Sequence, residues 1–235
     1  MNEHTHKQFD AEMEAIRTGV LTMGGLVEDQ LGRAIVVLAQ DEADDAIDQV
    51  GAAEQEINQM QVALDQQCSQ IIAKRQPTAI DLRMILTITK IVNDLERMAD
   101  EVKKVAYKAA ETHGGDRLTE VRYHDVMRAA EHALTMLQMA LDAFARLDVT
   151  AAAEVIDRDE EIDAAFHSIL RQLISYMMED PRTISAALEI VFIAKSIERI
   201  GDHSKNIAEA VVQVVRGKDM RHASADEIRA EVRDE

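Results

Sequence analysis

Two short strings hold the residue types best suited to chemistry. Leu95-Glu96-Arg97-Met98-Ala99-Asp100 and Ile197-Glu198-Arg199-Ile200-Gly201-Asp202 each set a glutamate and an aspartate four residues apart. On an α-helix that spacing puts both carboxylates on one face, a turn apart. Like charges so placed cost a helix roughly 0.2–0.5 kcal/mol, and two kinds of partner would offset it. A hard divalent cation takes carboxylate oxygens and fills its remaining positions with water. A basic side chain does so without metal, and Arg97 and Arg199 stand inside the strings themselves. Two carboxylates are too few for a tight metal site, so further oxygens would have to come from another helix. Other acidic pairs share the spacing, among them Asp41/Asp45, Asp157/Glu161 and Asp159/Asp163. Glu96, Asp100, Glu198 and Asp202 differ in recurring in register beside a small residue, Ala99 or Gly201. They are the candidate metal ligands, and a solvated or salt-bridged face is the alternative reading.

The other reactive types are scattered. His4, His6, His113 and His222 lie outside the periodic segments, while His124, His132, His167 and His203 stand singly on helices. The sequence has no glycine-rich phosphate loop, no His-Glu-x-x-His and no Ser or Cys nucleophile with an evident base. No catalytic residue is assigned. Cys68, the single cysteine, lies in an apolar-periodic stretch and reads as a small buried hydrophobe. One cysteine makes no internal disulfide and suits a reducing compartment.

The elements that position the acids follow from periodicity. Apolar residues recur at steps of three and four from Phe9 through Leu38, predicting a helix of about eight turns. Asp41 and Asp44 supply cap chemistry for a second helix, whose stripe runs through Ile47, Val50, Ile57, Leu64, Cys68 and Ile71. A third follows Pro77, capped by Thr78, with Leu82, Ile85, Thr89, Val92, Leu95, Ala99, Val102 and Ala106 inward. His113-Gly114-Gly115-Asp116 breaks the pattern. A fourth stripe runs from Val126 to Phe144, and a turn at Leu147-Asp148 opens a fifth through Ile162, Ile169 and Leu173. Asp180-Pro181 opens a sixth, with Ile184, Leu188, Val191, Ala194, Ile197, Gly201 and Ala208 inward. A short helix from Ser224 would follow in a polar tail.

The second half repeats the first. Glu56-Ile57 matches Glu161-Ile162, and Leu64 matches Ile169. The only two prolines fall at the same joint, and the acidic strings match beyond it. The predicted fold is all-α, two tandem three-helix bundles of long up-down antiparallel helices over 8–112 and 117–216, with a polar tail at 217–235. Placed in tandem, the units should make an elongated molecule whose exposed helical flanks invite dimerisation.

A net charge of −18 repels nucleic-acid phosphate and anionic lipid, and suits cations or basic protein surfaces. The first nine residues lack the apolar core of a signal peptide. The longest apolar run, Ala34 to Ala39, is far too short to span a bilayer. A cytoplasmic, non-enzymatic protein without nucleic-acid or membrane partners is expected.

At the repeated acidic strings the sequence resembles the PhoU family, accessory regulators of bacterial phosphate-specific transport. Ala73-Lys74-Arg75-Gln76-Pro77-Thr78, Leu141-Asp142-Ala143-Phe144-Ala145-Arg146 and Tyr176-Met177-Met178-Glu179-Asp180 carry the resemblance as well. It implies a cytoplasmic homodimer of two tandem three-helix bundles. Its implied partners are the ATPase subunit of a phosphate ABC transporter and a phosphate-sensing histidine kinase, held off when phosphate is plentiful. No cofactor is required, but divalent or iron ions at Glu96, Asp100, Glu198 and Asp202 are implied for some members. One departure bears on this: Asn206 of the second copy is replaced by Lys104 in the first. An ammonium near Asp100 would replace a cation there, making metal less secure in the first copy. A metal-binding carboxylate bundle, for storage or catalysis, is the alternative function.

Overall fold

A computed structural model describes residues 2–39, 43–112 and 118–217, with the backbone alone at 2–6, 112 and 118–123. Six helices carry the chain: α1 (Asn2–Ala39), α2 (Asp44–Arg75), α3 (Ala79–Thr112), α4 (Leu118–Arg146), α5 (Val149–Glu179) and α6 (Ile184–Arg216). The described residues contain no strand. The Gly114-Gly115 break, Asp41 and the Ser224 segment lie outside them.

Local chemistry sets most of the ends. Asp148 caps α5, its carboxylate accepting the Ala151 N–H at 3.0 Å. Asp180 accepts the Arg182 N–H at 3.1 Å and opens a single 3₁₀ turn, Pro181–Thr183, before α6. Gln76 ends α2 in the left-handed region at φ 49°, and Pro77 follows. Two ends differ from expectation. Ala43, not Asp44, holds the cap position of α2, and Asp44 and Asp45 fill its first turn, where the helix dipole favours acids. α1 begins at Asn2, so His4 and His6 are helical.

α1, α2 and α3 pack together, as do α4, α5 and α6. The two units are not laid end to end as an elongated tandem. α3 packs along α6, and α1 along α4. Both pairs are antiparallel: Lys90 meets Gln213 and Lys108 meets Glu189 across α3 and α6, and Arg17 reaches the carbonyl of Ala145 across α1 and α4. The reason lies in the width of the buried faces. α2 buries one row, Val50, Ile57, Leu64, Cys68 and Ile71. α3 buries Ile85, Val92, Leu95, Ala99, Val102 and Ala106 of the expected row, leaves Leu82 and Thr89 half-buried, and buries Ile88, Ile91, Met98, Val105 and Ala109 as well. α6 buries Ile190, Ile193, Ile197, Ile200, Ile207 and Val211. Helices with faces this broad need neighbours on two sides, and one continuous core results. The predicted start of the α6 row is displaced, because Ile184 and Leu188 are exposed while Ala187 and Ile190 turn inward.

Two devices, one polar and one steric, fix the register. Gln30 is fully buried on α1, and its amide donates to the Val50 carbonyl at 3.1 Å and the Ala99 carbonyl at 3.3 Å, tying α1 to α2 and α3. At Gly24 an added Cβ would lie 2.6 Å from a methyl of Leu141, so α1 and α4 approach there because the side chain is missing. Gly25 faces open space. Gly25→Ala should therefore raise stability by about 0.5–1 kcal/mol through helix propensity alone. Gly24→Leu should lower it by about 1–3 kcal/mol through overpacking. Urea denaturation followed by far-ultraviolet circular dichroism measures both.

Candidate functional site

The polar margin of the α3/α6 seam is the chemically richest surface described. Because the helices are antiparallel copies of one element, a pair of positions that meets on one side of the seam has an equivalent pair on the other. Asp94 of α3 accepts from the His203 ring at 2.8 Å and the Asn206 amide at 3.2 Å. Their equivalents are Ser196 and Glu101, which also meet. Glu101 is only 6% exposed, and it accepts from Arg199 of α6 at 2.9 Å and from Lys104 at 3.0 Å. Burial pushes its carboxyl up, but Lys104, Ser196 and Arg199 together outweigh that and leave it below the ordinary glutamate range.

The four candidate ligands do not gather into one site. Glu96 pairs with Asp100 and Glu198 with Asp202, each along its own helix. Asp100 and Asp202 line the same groove of about 640 Å³ between α3 and α6, with Arg97, Arg199, Lys104 and Lys205. Burial first, then the charge of Asp100, pushes Glu96 up. Burial likewise dominates at Asp202, with Glu198, Asp159 and Asp163 adding to it, and its pKa rises from 3.8 to about 6.

Sequence reasoning missed the groups that answer these acids. On α2, Glu54 accepts from Lys103 at 3.1 Å and from Asn58 at 2.9 Å. On α5, Asp159 is 5% exposed and accepts from Lys205 at 2.6 Å. Lys195 donates to Glu198 at 2.5 Å, while the second Glu198 oxygen is buried without a partner. Burial alone would push Lys205 down, but Asp159, with Glu209 and Asp202, turns the shift upward. Arg199 is not the counter-ion of its own pair, since it reaches across to Glu101, whereas the Arg97 charge partly offsets the rise at Glu96. Lys104 also differs from expectation. Its ammonium goes to Glu101 rather than Asp100, so the Lys104/Asn206 difference does not distinguish the two acidic pairs. Extending the repeat register back from Glu56/Glu161 would have matched Glu54 with Asp159, and that was the available signal.

A hard cation needs about six converging oxygens. Among the described residues no three His, Cys, Asp or Glu groups converge to hold one. Asp159, Glu198 and Glu54 each turn one carboxylate oxygen to an ammonium group. The arrangement fits lysine better than metal.

The raised Asp202 has a pH consequence. Between about pH 4 and 6 the folded chain holds this proton more than the unfolded chain does, so stability falls as pH rises through that window. The group is half-exposed, so after discounting for solvent screening the loss is about 1 kcal/mol. Asp202→Asn should recover it above pH 6 and change little at pH 4, read as Tm against pH in both chains. Glu101→Ala should cost about 1–2 kcal/mol at pH 7, since the seam loses a buried counter-ion but its partners remain half in water.

Comparison with known proteins agrees with the architecture. The family model described as PhoU domain matches twice, over residues 20–109 and 126–211. The Phosphate-specific transport system accessory protein PhoU of Escherichia coli (strain K12) is 42% identical over 228 residues, covering 97% of this chain and 93% of that one. The crystal structure of PhoU from Pseudomonas aeruginosa superposes with a TM-score of 0.85 at 44% identity, over 89% of this chain and 100% of the other. That of the phosphate transport system regulatory protein PhoU from Streptococcus pneumoniae gives 0.81 at 26%, over 89% and 98%. The doubled domain match and the near full-length identity place this chain in the PhoU family.

Proposed function

We propose that this chain is a non-catalytic negative regulator of phosphate uptake and of phosphate-starvation signalling. It acts by contact in the cytoplasm, as a homodimeric adaptor between the ATPase subunit of a phosphate ABC transporter and a phosphate-sensing histidine kinase. Relatives that share nearly the whole chain are an accessory protein and a regulatory protein of phosphate transport. The observation carrying the non-catalytic part is how the titratable groups are used. Glu101 is held by Arg199 and Lys104, and Asp159 by Lys205, so the buried acids lock helices together. A general acid or base needs a free proton site facing a substrate, and these carboxylates serve packing. The net charge of −18 favours basic partner surfaces. No described helix is long and apolar enough to cross a membrane, so meeting a transporter calls for its peripheral subunit. The metal-store or metal-enzyme alternative gains no support from acids already paired with lysine.

Deleting the gene in its own bacterium and assaying alkaline phosphatase in phosphate-rich medium tests the reading. Derepressed phosphatase is expected, and activity that stays fully repressed contradicts it.

A further inference from the structure

Lys103 and Lys205 occupy equivalent positions, three residues after Asp100 and Asp202. Each leaves its own helix to reach an acid on the neighbouring one, Glu54 at 3.1 Å and Asp159 at 2.6 Å. Those acids are themselves equivalent in the register that matches Glu56 with Glu161. One ion pair is thus built twice, between α3 and α2 and between α6 and α5. From this repetition we infer that the chain offsets part of the charge on its acidic helix faces with its own lysines, and that Lys103 and Lys205 take the place a divalent cation would have beside Glu54 and Asp159.

A second observation comes from where the copies differ. Asn58 of α2 corresponds to Asp163 of α5, so the second copy has one acid more. Asn93 of α3 corresponds to Lys195 of α6, and that lysine meets Glu198, whereas Lys104, whose counterpart is Asn206, meets Glu101 outside the acidic pair. The first copy sets Glu54, Glu96 and Asp100 against Lys103; the second sets Asp159, Asp163, Glu198 and Asp202 against Lys195 and Lys205. Counting lysines alone, each keeps a surplus of two negative charges, and in the first copy the Arg97 charge also acts on Glu96. A metal site gains affinity from an added carboxylate and needs no added lysine. A matched acid and lysine is the pattern of charge balance within the protein.

Energetics favour the lysine once it is in place. Asp159 is almost fully buried, and the Lys205 ammonium that answers it is two-thirds buried. A divalent ion entering here would displace that ammonium and leave it partly buried without its counter-ion, which is costly. The metal ligands named from sequence alone, Glu96, Asp100, Glu198 and Asp202, accordingly work in this chain as acids within helix–helix ion-pair clusters.

Metal titration of the full chain tests the inference. Chelator-stripped wild type, dialysed against manganese(II), zinc or ferrous iron and then analysed for metal, should retain well under one ion per chain. Lys205→Met keeps the stem and removes the charge. It should bind manganese at least about tenfold more tightly than wild type, and adding Asp202→Asn should abolish the gain. Lys205→Arg should behave as wild type. The inference is overturned if wild type retains stoichiometric metal that Glu198→Gln or Asp202→Asn removes. It is equally overturned if a helical, monodisperse Lys205→Met binds no better than wild type. Should that variant lose its helical signal, Lys103→Met in the other copy is read by the same criterion, and the wild-type measurement stands by itself.

Discussion

α3 and α6 meet along an apolar strip whose margin is set by a nearly buried carboxylate. Glu101 gives up water, and Lys104, Ser196 and Arg199, reaching it from both helices, outweigh that burial and hold its carboxyl below the ordinary glutamate range. Removing any one leaves a charge in a poorly solvated seam, so the helices are held in one register. Asp94 and His203 repeat the arrangement at the equivalent position with a weaker pair. Once α3 and α6 are fixed, the remaining helices have little freedom. α2 packs outside them on a single apolar row and α5 on a row that widens at its N-terminal end. α1 meets α4 where Gly24 admits Leu141, and the charges of Glu54 on α2 and Asp159 on α5 reach Glu96 and Asp202.

The helices, the repeat and the proline joints were legible in the sequence because they depend on local rules: period, caps and proline geometry. Asp148 and Asp180 act as their residue types dictate. The side-by-side docking was not legible. A row such as Ile88, Ile91, Met98 and Val105 shows that α3 is broadly apolar but does not name the helix that covers it. The same ambiguity misplaced the beginning of the α6 row, where Leu188 is apolar yet exposed. In the site, the motif acids could be found by recurrence, and their partners could not. Glu54 and Asp159 lie some 46 to 49 residues from the lysines that hold them, a separation only the packing closes.

Charge ties the fold to its role. An adaptor has to present a stable surface, and here the acids that would strain neighbouring helices are balanced within the chain, leaving the remaining negative charge at the surface. A duplicated unit folded back along its own equivalent helix offers two related faces on one body, which suits the adaptor role proposed above. Family membership names the transport system, and the seam explains why two small bundles behave as one scaffold.

That unity is open to direct measurement. Scanning calorimetry of the full chain compares the heat absorbed with the van't Hoff enthalpy of the same transition. If the α3/α6 seam joins both units into one core, the described helices unfold in a single peak with the two enthalpies equal. Two resolved transitions, or a van't Hoff enthalpy about half the calorimetric one, would show that each bundle folds alone and that the seam is only a contact.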